Sequence, residues 1–207
     1  MTTQADVRKI ALSFPGTSES RERFAFSVRD GEKDKGFAWA WNERVDPKKA
    51  RVPNAKVLAL RTSGLDEKEA LLAMAPGKFF TEPHYNGYPA VLLHLPKVGV
   101  AELRMHLVNA WRCMAPLVQT CRAKVLNGHK GCAAMLPFEP EKVWLTKAAP
   151  IAPGRRGHAV RGTINRKRFE SFVVGRSKKH FVLLDEATLK SARAKEGDLV
   201  NLSLEPR

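Results

Sequence analysis

Apolar residues near the start of the chain recur at helical spacing. Val7, Ile10 and Phe14 are separated by three or four residues, and a Pro-Gly pair ends the pattern. This spacing places one apolar stripe along an amphipathic helix. Similar spacing predicts a short helix over residues 66–74 and a longer one that Pro116 ends or kinks.

Between these helices, large apolar residues alternate with small ones. Alternation with a period of two is typical of β-strands, so residues 24–28 and 37–41 are predicted to pair as antiparallel strands. Their large residues are expected on one shared face: Phe24, Phe26, Phe37, Trp39 and Trp41. Burial of that face in the core is the favoured interpretation, and a base-stacking platform is the alternative. Further strands are predicted over residues 56–61, 78–81 and 90–95.

The pattern changes after residue 125. Residues 126–142 contain two Gly and two Pro with little periodicity, which predicts a linker. Beyond it, strands are predicted over residues 158–164, 168–174, 180–184 and 199–204, with one short helix capped by Asp185. We therefore predict an α+β protein of two small domains. Residues 1–125 form an antiparallel sheet with helices, and residues 143–207 form a mostly-β, barrel-like domain.

Charge is unevenly distributed along the 207 residues, whose formal net charge is +15. Residues 147–179 hold ten Lys or Arg against one acid, a net +9. Clustered charge of one sign repels itself, so it often reflects a polyanionic partner. We predict that these side chains bind nucleic acid with low sequence specificity; the alternative is a solvated surface that keeps strand edges apart. The ten residues are Lys147, Arg155, Arg156, Arg161, Arg166, Lys167, Arg168, Arg176, Lys178 and Lys179.

The segment from His84 to Tyr88 gives a second hypothesis. It is rich in polar aromatic residues, and its Asn-Gly pair marks a turn between two strands. His84, Tyr85 and Tyr88 are candidates for a small-ligand pocket, here or at a domain interface, and the protein would then be a ligand-binding or protein-interaction module. The structural alternative is a turn whose tyrosines pack back onto the sheet.

Other classes of function find little support in the sequence. No motif for nucleophilic catalysis or a phosphate loop is present, so we expect a protein that is not an enzyme and uses no cofactor. The pairs Cys113/Cys121 and His129/Cys132 do not match the spacing of zinc modules, so no metal site is predicted. An odd number of cysteines and the absence of a long apolar run indicate a cytoplasmic protein with no membrane partner.

Residues 2–124 resemble the MmcQ/YjbR family. The likeness rests on the opening helix and the Phe14-Pro15-Gly16-Thr17 that ends it, on Lys78-Phe79-Phe80-Thr81, and on the segment from His84 to Val91. The resemblance implies a small α+β domain with a curved antiparallel sheet. Members are often labelled DNA-binding because their shape is similar to a double-wing domain of a phage transcription factor, so we expect DNA in preference to RNA.

Residues 143–207 resemble the DUF1905 family, a small β-barrel. The likeness rests on Val160-Arg161-Gly162-Thr163-Ile164-Asn165, on His180-Phe181, and on Gly197-Asp198-Leu199-Val200. The matching segment is shorter at its front than the family pattern, by one strand and a Pro-led turn. Neither resemblance carries a catalytic residue to this chain.

Overall fold

The structure is a computed structural model that describes residues 1–46, 48–128 and 131–207. Two compact units, Met1–Pro116 and Leu117–Arg207, make up the chain. The predicted α+β class is confirmed, with one antiparallel sheet in the first unit and a barrel in the second. Where the sequence predicts a linker, over residues 126–142, the structure instead has strand and helix that belong to the second unit.

The described part of the first unit has three α-helices: α1 (Gln4–Ala11), α2 (Leu65–Met74) and α3 (Val100–Met114). At the start of α1, the Asp6 carboxylate accepts hydrogen bonds from the backbone N–H and the hydroxyl of Thr3, each at 2.9 Å. Helix α3 ends two residues before Pro116, so the proline lies beyond the helix rather than kinking it. The apolar stripes of α1 and α3 are buried and contact each other.

The sheet of the first unit has six antiparallel strands in the order β1-β2-β3-β4-β6-β5. They are β1 (Thr17–Glu19), β2 (Ala25–Asp30), β3 (Lys33–Glu43), β4 (Val52–Arg61), β5 (Phe79–Phe80) and β6 (Ala90–His94). Helix α3 packs on strands β2, β3 and β4. Since side chains of a strand alternate between faces, the face opposite α3 needs other cover.

The aromatic residues of β2 and β3 do not all share one face, and that prediction is wrong. A β-bulge in β3 has Phe37 as its extra residue, because Phe26 pairs with Ala38 while Ser27 pairs with Gly36. The Phe37 ring packs 6.4 Å from Phe14, in the core beneath the helices. Trp39 and Trp41 instead pack on a cluster of the opposite face. That cluster comprises Val57, Ala59, Tyr85, Ala90 and Leu92.

The second unit is a closed barrel of six strands, β11-β12-β8-β7-β13-β10, in which β10 also pairs with β11. Its strands are β7 (Gln119–Gly128), β8 (Gly131–Leu136), β9 (Ala149–Ala152), β10 (Arg155–Ile164), β11 (Lys167–Arg176), β12 (Lys179–Leu184) and β13 (Leu199–Pro206). Strand β9 extends the sheet beside β10. Strands β7 and β8, which the sequence did not predict, supply the front of the barrel and close it.

Two short helices flank the barrel, α4 (Pro140–Val143) and α5 (Glu186–Ser191). Asp185 caps α5 as predicted, since its carboxylate accepts a hydrogen bond of 2.7 Å from the Thr188 N–H. Trp144 follows α4 and is fully buried in the barrel core, where its indole N–H donates to the Leu117 carbonyl at 2.7 Å. The hydrogen bond from Trp144, which follows α4, therefore fixes the first residue of the second unit to the barrel core.

Two tight turns join β10 to β11 and β11 to β12. Asn165 and Arg166 have φ values of 47° and 70°, and Ser177 and Lys178 have 49° and 60°. Pairs of left-handed residues form the two-residue hairpin turns that match strand twist. Because each hairpin reverses the chain, the two turns lie at opposite ends of the ten-residue strand β11. Arg166 and Lys178, two of the ten basic residues between positions 147 and 179, therefore lie at opposite ends of the barrel.

Candidate functional site

The ten basic residues predicted to bind nucleic acid do not form one continuous surface. All ten are exposed, but the hairpins divide them into groups. Arg166, Lys167 and Arg168 lie where β10 ends and β11 begins. Arg161 lies in the middle of β10 and is paired with Glu205, with Nε 2.7 Å from a carboxylate oxygen. Lys147 precedes β9, outside both turns.

The remaining five residues lie where β10 begins and β11 ends, and we call this set the basic end: Arg155, Arg156, Arg176, Lys178 and Lys179. Arg176 is directly across from Lys179 in the β11–β12 hairpin. Arg155 and Arg176 line the same surface groove. A strand of ten residues spans roughly 30 Å, so the Arg166–Arg168 group lies about that far from the basic end.

No acid among the described residues neutralises the basic end. The ion pairs that the structure describes include none of its five members, and Arg156 donates to a backbone carbonyl, that of Ala148. The second unit holds 18 Lys or Arg against 8 Asp or Glu over its whole sequence, a net +10. The basic end is therefore a local concentration of unpaired cations.

An apolar groove of about 780 Å³ runs along the outer face of the barrel from the basic end. The Phe181 ring lines it, together with Leu126 and Leu183, and two acidic residues, Asp185 and Glu186, are also part of its lining. On the same outer face, Phe172 is 39% exposed but does not line the groove. An aromatic ring beside unpaired arginines is the combination that stacks bases and holds phosphates in single-strand binders.

A histidine pair supports the barrel beneath the basic end, and the sequence analysis did not identify it. His158 is 5% exposed, and its Nε2 lies 2.8 Å from one Glu141 oxygen while its Nδ1 lies 2.8 Å from the Thr146 hydroxyl. The other Glu141 oxygen lies 3.3 Å from Nε2 of His180. Glu141 of α4 therefore joins β10 and β12, the strands from which Arg155 and Lys179 project.

The electrostatics of Glu141 fit this role. Partial burial raises the pKa of its carboxyl, but a backbone hydrogen bond and the bond with His158 outweigh burial, and the pKa lies below its ordinary value. The sequence does contain a signal for the two histidines. Residues at even spacing along a strand share a face, and the core residues at even spacing after each histidine are Val160 and Ile164 on β10, and Val182 and Leu184 on β12.

The second predicted site, from His84 to Tyr88, is a loop on the first unit. A 3₁₀ helix over Pro83–Tyr85 leads into a turn in which Gly87 has φ 72° and the Tyr88 N–H donates to the Tyr85 carbonyl at 3.0 Å. Asn86 precedes this left-handed Gly87 with φ −61° and ψ 131°, which makes it a type II turn. Tyr85 is buried and packs back on the sheet, whereas Tyr88 is 41% exposed and His84 is exposed.

Other candidate chemistry is sparse in the described part of the chain. No group of three His, Cys, Asp or Glu residues there is placed to hold a metal ion, and His129 of the pair His129/Cys132 lies outside the described residues. Burial raises the pKa of the Cys113 thiol to about 11, so this cysteine stays protonated and unreactive at neutral pH. None of the described helices combines the length and apolar character that a membrane crossing requires.

Comparison with known proteins shows where the chain belongs. It is 34% identical over 122 residues to uncharacterized protein Rv2570 of Mycobacterium tuberculosis (strain H37Rv), a match that covers 56% of this chain and 91% of the relative. The same values hold for uncharacterized protein MT2646 of M. tuberculosis (strain CDC 1551) and uncharacterized protein Mb2600 of Mycobacterium bovis. The chain belongs to the family of these mycobacterial proteins. No family model matches it.

Proposed function

We propose that this protein binds nucleic acid with low sequence specificity through the basic end of its barrel, without acting as an enzyme. The observation that carries the proposal is the convergence of five cations, none of them neutralised by an acid within the described residues, on two adjacent hairpin ends. Exposed guanidinium and ammonium groups contact phosphates of any sequence, since phosphate contacts position the polymer but do not read bases.

The groove beside the basic end favours single strands over duplexes. Phe181 offers a ring against which an unpaired base stacks, and a base inside a duplex does not present its face in this way. The preference for DNA over RNA rests on the resemblance to the MmcQ/YjbR family, whose members are often labelled DNA-binding. A cytoplasmic location is part of the proposal, since all three cysteines are free.

The experiment compares two variants of equal charge. The first replaces Arg155, Arg176 and Lys179 with Ser, and the second replaces the opposite group by Arg166→Asn, Lys167→Ser and Arg168→Ser. Asn is chosen at position 166 because its φ of 70° is left-handed. Fluorescence anisotropy with labelled single-stranded DNA, duplex DNA and single-stranded RNA, at one low salt concentration, gives the affinities.

We expect the first variant to lose on the order of tenfold to hundredfold in affinity for every sequence, and the second to lose far less. Equal losses in both variants would mean that only net charge matters and would contradict a site at the basic end. No measurable affinity of the unaltered protein for any of the three polymers would refute the proposal. Circular dichroism confirms that each variant is folded.

A further inference from the structure

A pocket of about 510 Å³ opens on the first unit, away from the helix-covered face of the sheet. Its lining comes from β2 and the residues before it, from β3, from the end of β4, and from the His84–Tyr88 loop. The residues that matter are Arg23, Trp39, Arg61, His84, Tyr85 and Tyr88. Arg61 reaches this loop because it pairs with Ala90, the first residue of β6.

Arg61 is fixed in this pocket by aromatic rings. Its guanidinium carbon lies 4.6 Å from the centre of the Tyr88 ring and 5.7 Å from that of Trp39. Its Nη2 donates to the Tyr88 hydroxyl at 2.7 Å, whereas its Nε is buried and has no hydrogen-bond partner in the structure. The donors of a guanidinium lie in one plane, which is the arrangement that recognises carboxylate and phosphate groups, and the two rings hold that plane in one orientation.

The loop that forms the other wall is anchored. The Tyr85 hydroxyl accepts a hydrogen bond of 3.0 Å from the Trp39 indole N–H, and burial raises the pKa of Tyr85. Lys68 of α2 is 5% exposed, and its ammonium group donates to the carbonyls of Tyr85 at 2.5 Å and Tyr88 at 3.3 Å. These bonds hold the rings of the pocket in place before a ligand arrives, which reduces the entropy lost on binding.

The lining of the pocket is aromatic and cationic. Two guanidinium groups and one imidazole line it, and its lining includes no carboxylate. Its volume falls in the range of about 300–1,000 Å³ that is usual for small-ligand sites. We propose that this pocket binds a small ligand that joins an aromatic ring to an anionic group, with the anion at Arg61 and Arg23 and the ring against Trp39 and Tyr88. This site does not depend on polymer binding at the barrel.

The experiment uses the full-length protein and isothermal titration calorimetry with four probes. Adenosine monophosphate and indole-3-acetate each join an aromatic ring to an anion, whereas adenosine and inorganic phosphate each supply one half. We expect at least one of the first two to bind at least about tenfold more tightly than either half, since ring and anion contacts combine in one ligand. Which of the two binds assigns phosphate or carboxylate as the anion. No binding of either compound at millimolar concentration would overturn the proposal.

Variants locate the binding site. Arg61→Gln is expected to weaken binding of the tighter probe at least about tenfold, because a charge-assisted hydrogen bond is lost. Arg23→Gln should weaken it severalfold, whereas Arg21→Gln, two residues away and outside the pocket lining, should not. The Arg155, Arg176 and Lys179 triple variant should also bind the probe normally. Equal effects of Arg23→Gln and Arg21→Gln, or loss of binding in the triple variant, would contradict this site even if Arg61→Gln failed to fold.

Discussion

The two units hold their arginines in different ways. In the first unit, the Arg61 guanidinium lies over the rings of Trp39 and Tyr88 and donates a hydrogen bond to the Tyr88 hydroxyl. In the second unit, Arg155 and Arg176 are exposed at strand ends and form no ion pair that the structure describes. A fixed guanidinium selects a ligand by geometry, whereas an exposed one follows a mobile phosphate chain.

The number of basic residues alone does not show this difference. Each unit contains 18 Lys or Arg, and the units differ in their acids, 13 in the first and 8 in the second. In the first unit, acids pair with cations such as Arg51, whose Nη1 lies 2.8 Å from Glu82. The basic end of the barrel has no such partner among the described residues. What distinguishes the two units is therefore where acids are missing.

The largest effect is expected from breaking the barrel that carries the basic end. A Cβ at Gly162 would overlap the Ser203 backbone carbonyl on β13, so Gly162→Ala must push two paired strands apart. We expect a loss of about 3 kcal/mol or more in the free energy of unfolding of the second unit. Calorimetric unfolding and hydrogen exchange would measure it, and nucleic-acid affinity should fall with it.

Gly175→Ala is the matched control for Gly162→Ala. A Cβ at Gly175 would lie 3.7 Å from the His180 ring, an ordinary contact, and the backbone there is not left-handed. The free energy of unfolding of the second unit should change by less than about 0.5 kcal/mol in this variant. Small-ligand binding at the Arg61 pocket should survive in both variants, and its loss in Gly162→Ala alone would show that the two sites are not independent.

The next largest effect is expected at the groove. Phe181→Ala removes the ring beside Arg155 and Arg176, and we expect single-stranded DNA to lose about 1–3 kcal/mol of binding free energy, since stacking on one base is worth that much. Affinity for duplex DNA should change less. Phe172→Ala, an outward ring of the same strand pair that does not line the groove, should leave both unchanged. A similar loss for duplex and single strand in Phe181→Ala would exclude base stacking.

A smaller effect is expected from Glu141, which contacts His158 and His180 beneath the basic end. The folded-state pKa of Glu141 lies below its ordinary value, so its contribution to stability is present above about pH 4.3 and is lost as the pH falls through the lowered pKa. Glu141→Gln should lower the free energy of unfolding by about 1 kcal/mol or less at pH 7, because the carboxylate is half-exposed. Measured by urea unfolding, the difference in the free energy of unfolding between Glu141→Gln and the unaltered protein should become smaller below about pH 4. A constant difference from pH 7 to pH 3 would contradict this role.

The smallest effect is expected from Tyr88→Phe. This change keeps the ring that stacks on Arg61 and removes the hydroxyl that accepts its hydrogen bond. We expect binding of the aromatic anion to weaken only about twofold, because a single exposed hydrogen bond is worth about 0.5 kcal/mol, the low end of the usual range. Calorimetry would measure it. A stronger effect than that of Arg61→Gln would mean that Tyr88, rather than the guanidinium, contacts the anion.

The helices and most strands could be predicted because their signals are local. Apolar spacing identified α1 and α3, alternation identified β2, β3, β10 and β12, and Asp185 marked the start of α5. Strands β7 and β8 were missed because β8 is built largely from small residues, and because β7 ends and β8 begins with a glycine. A segment in which large apolar residues do not alternate is predicted to be a linker. Here, hydrogen bonds from β8 to β12 and from β7 to β13 make the segment part of the barrel.

The candidate sites depend on register, which a single sequence does not reveal. The bulge at Phe37 places Phe37 and Trp39 on opposite faces of the sheet, so that Trp39 contacts Tyr85. Likewise, eight of the ten basic residues between positions 147 and 179 fall into two separate groups, because hairpin turns send neighbouring residues to opposite ends of a strand. Residue type predicted that the arginines bind anions, but only pairing decides which of them can do so together.

The salt dependence of single-stranded DNA binding tests the basic end most directly. If its five cations each neutralise one phosphate, the logarithm of the binding constant should fall against the logarithm of salt concentration with a slope of roughly −3.5, about −0.7 for each contact. The triple variant of Arg155, Arg176 and Lys179 should reduce the slope to about −1.4, while the variant at positions 166–168 keeps it. A slope near zero, or one that falls equally in both variants, would show that the basic end is not where phosphates bind.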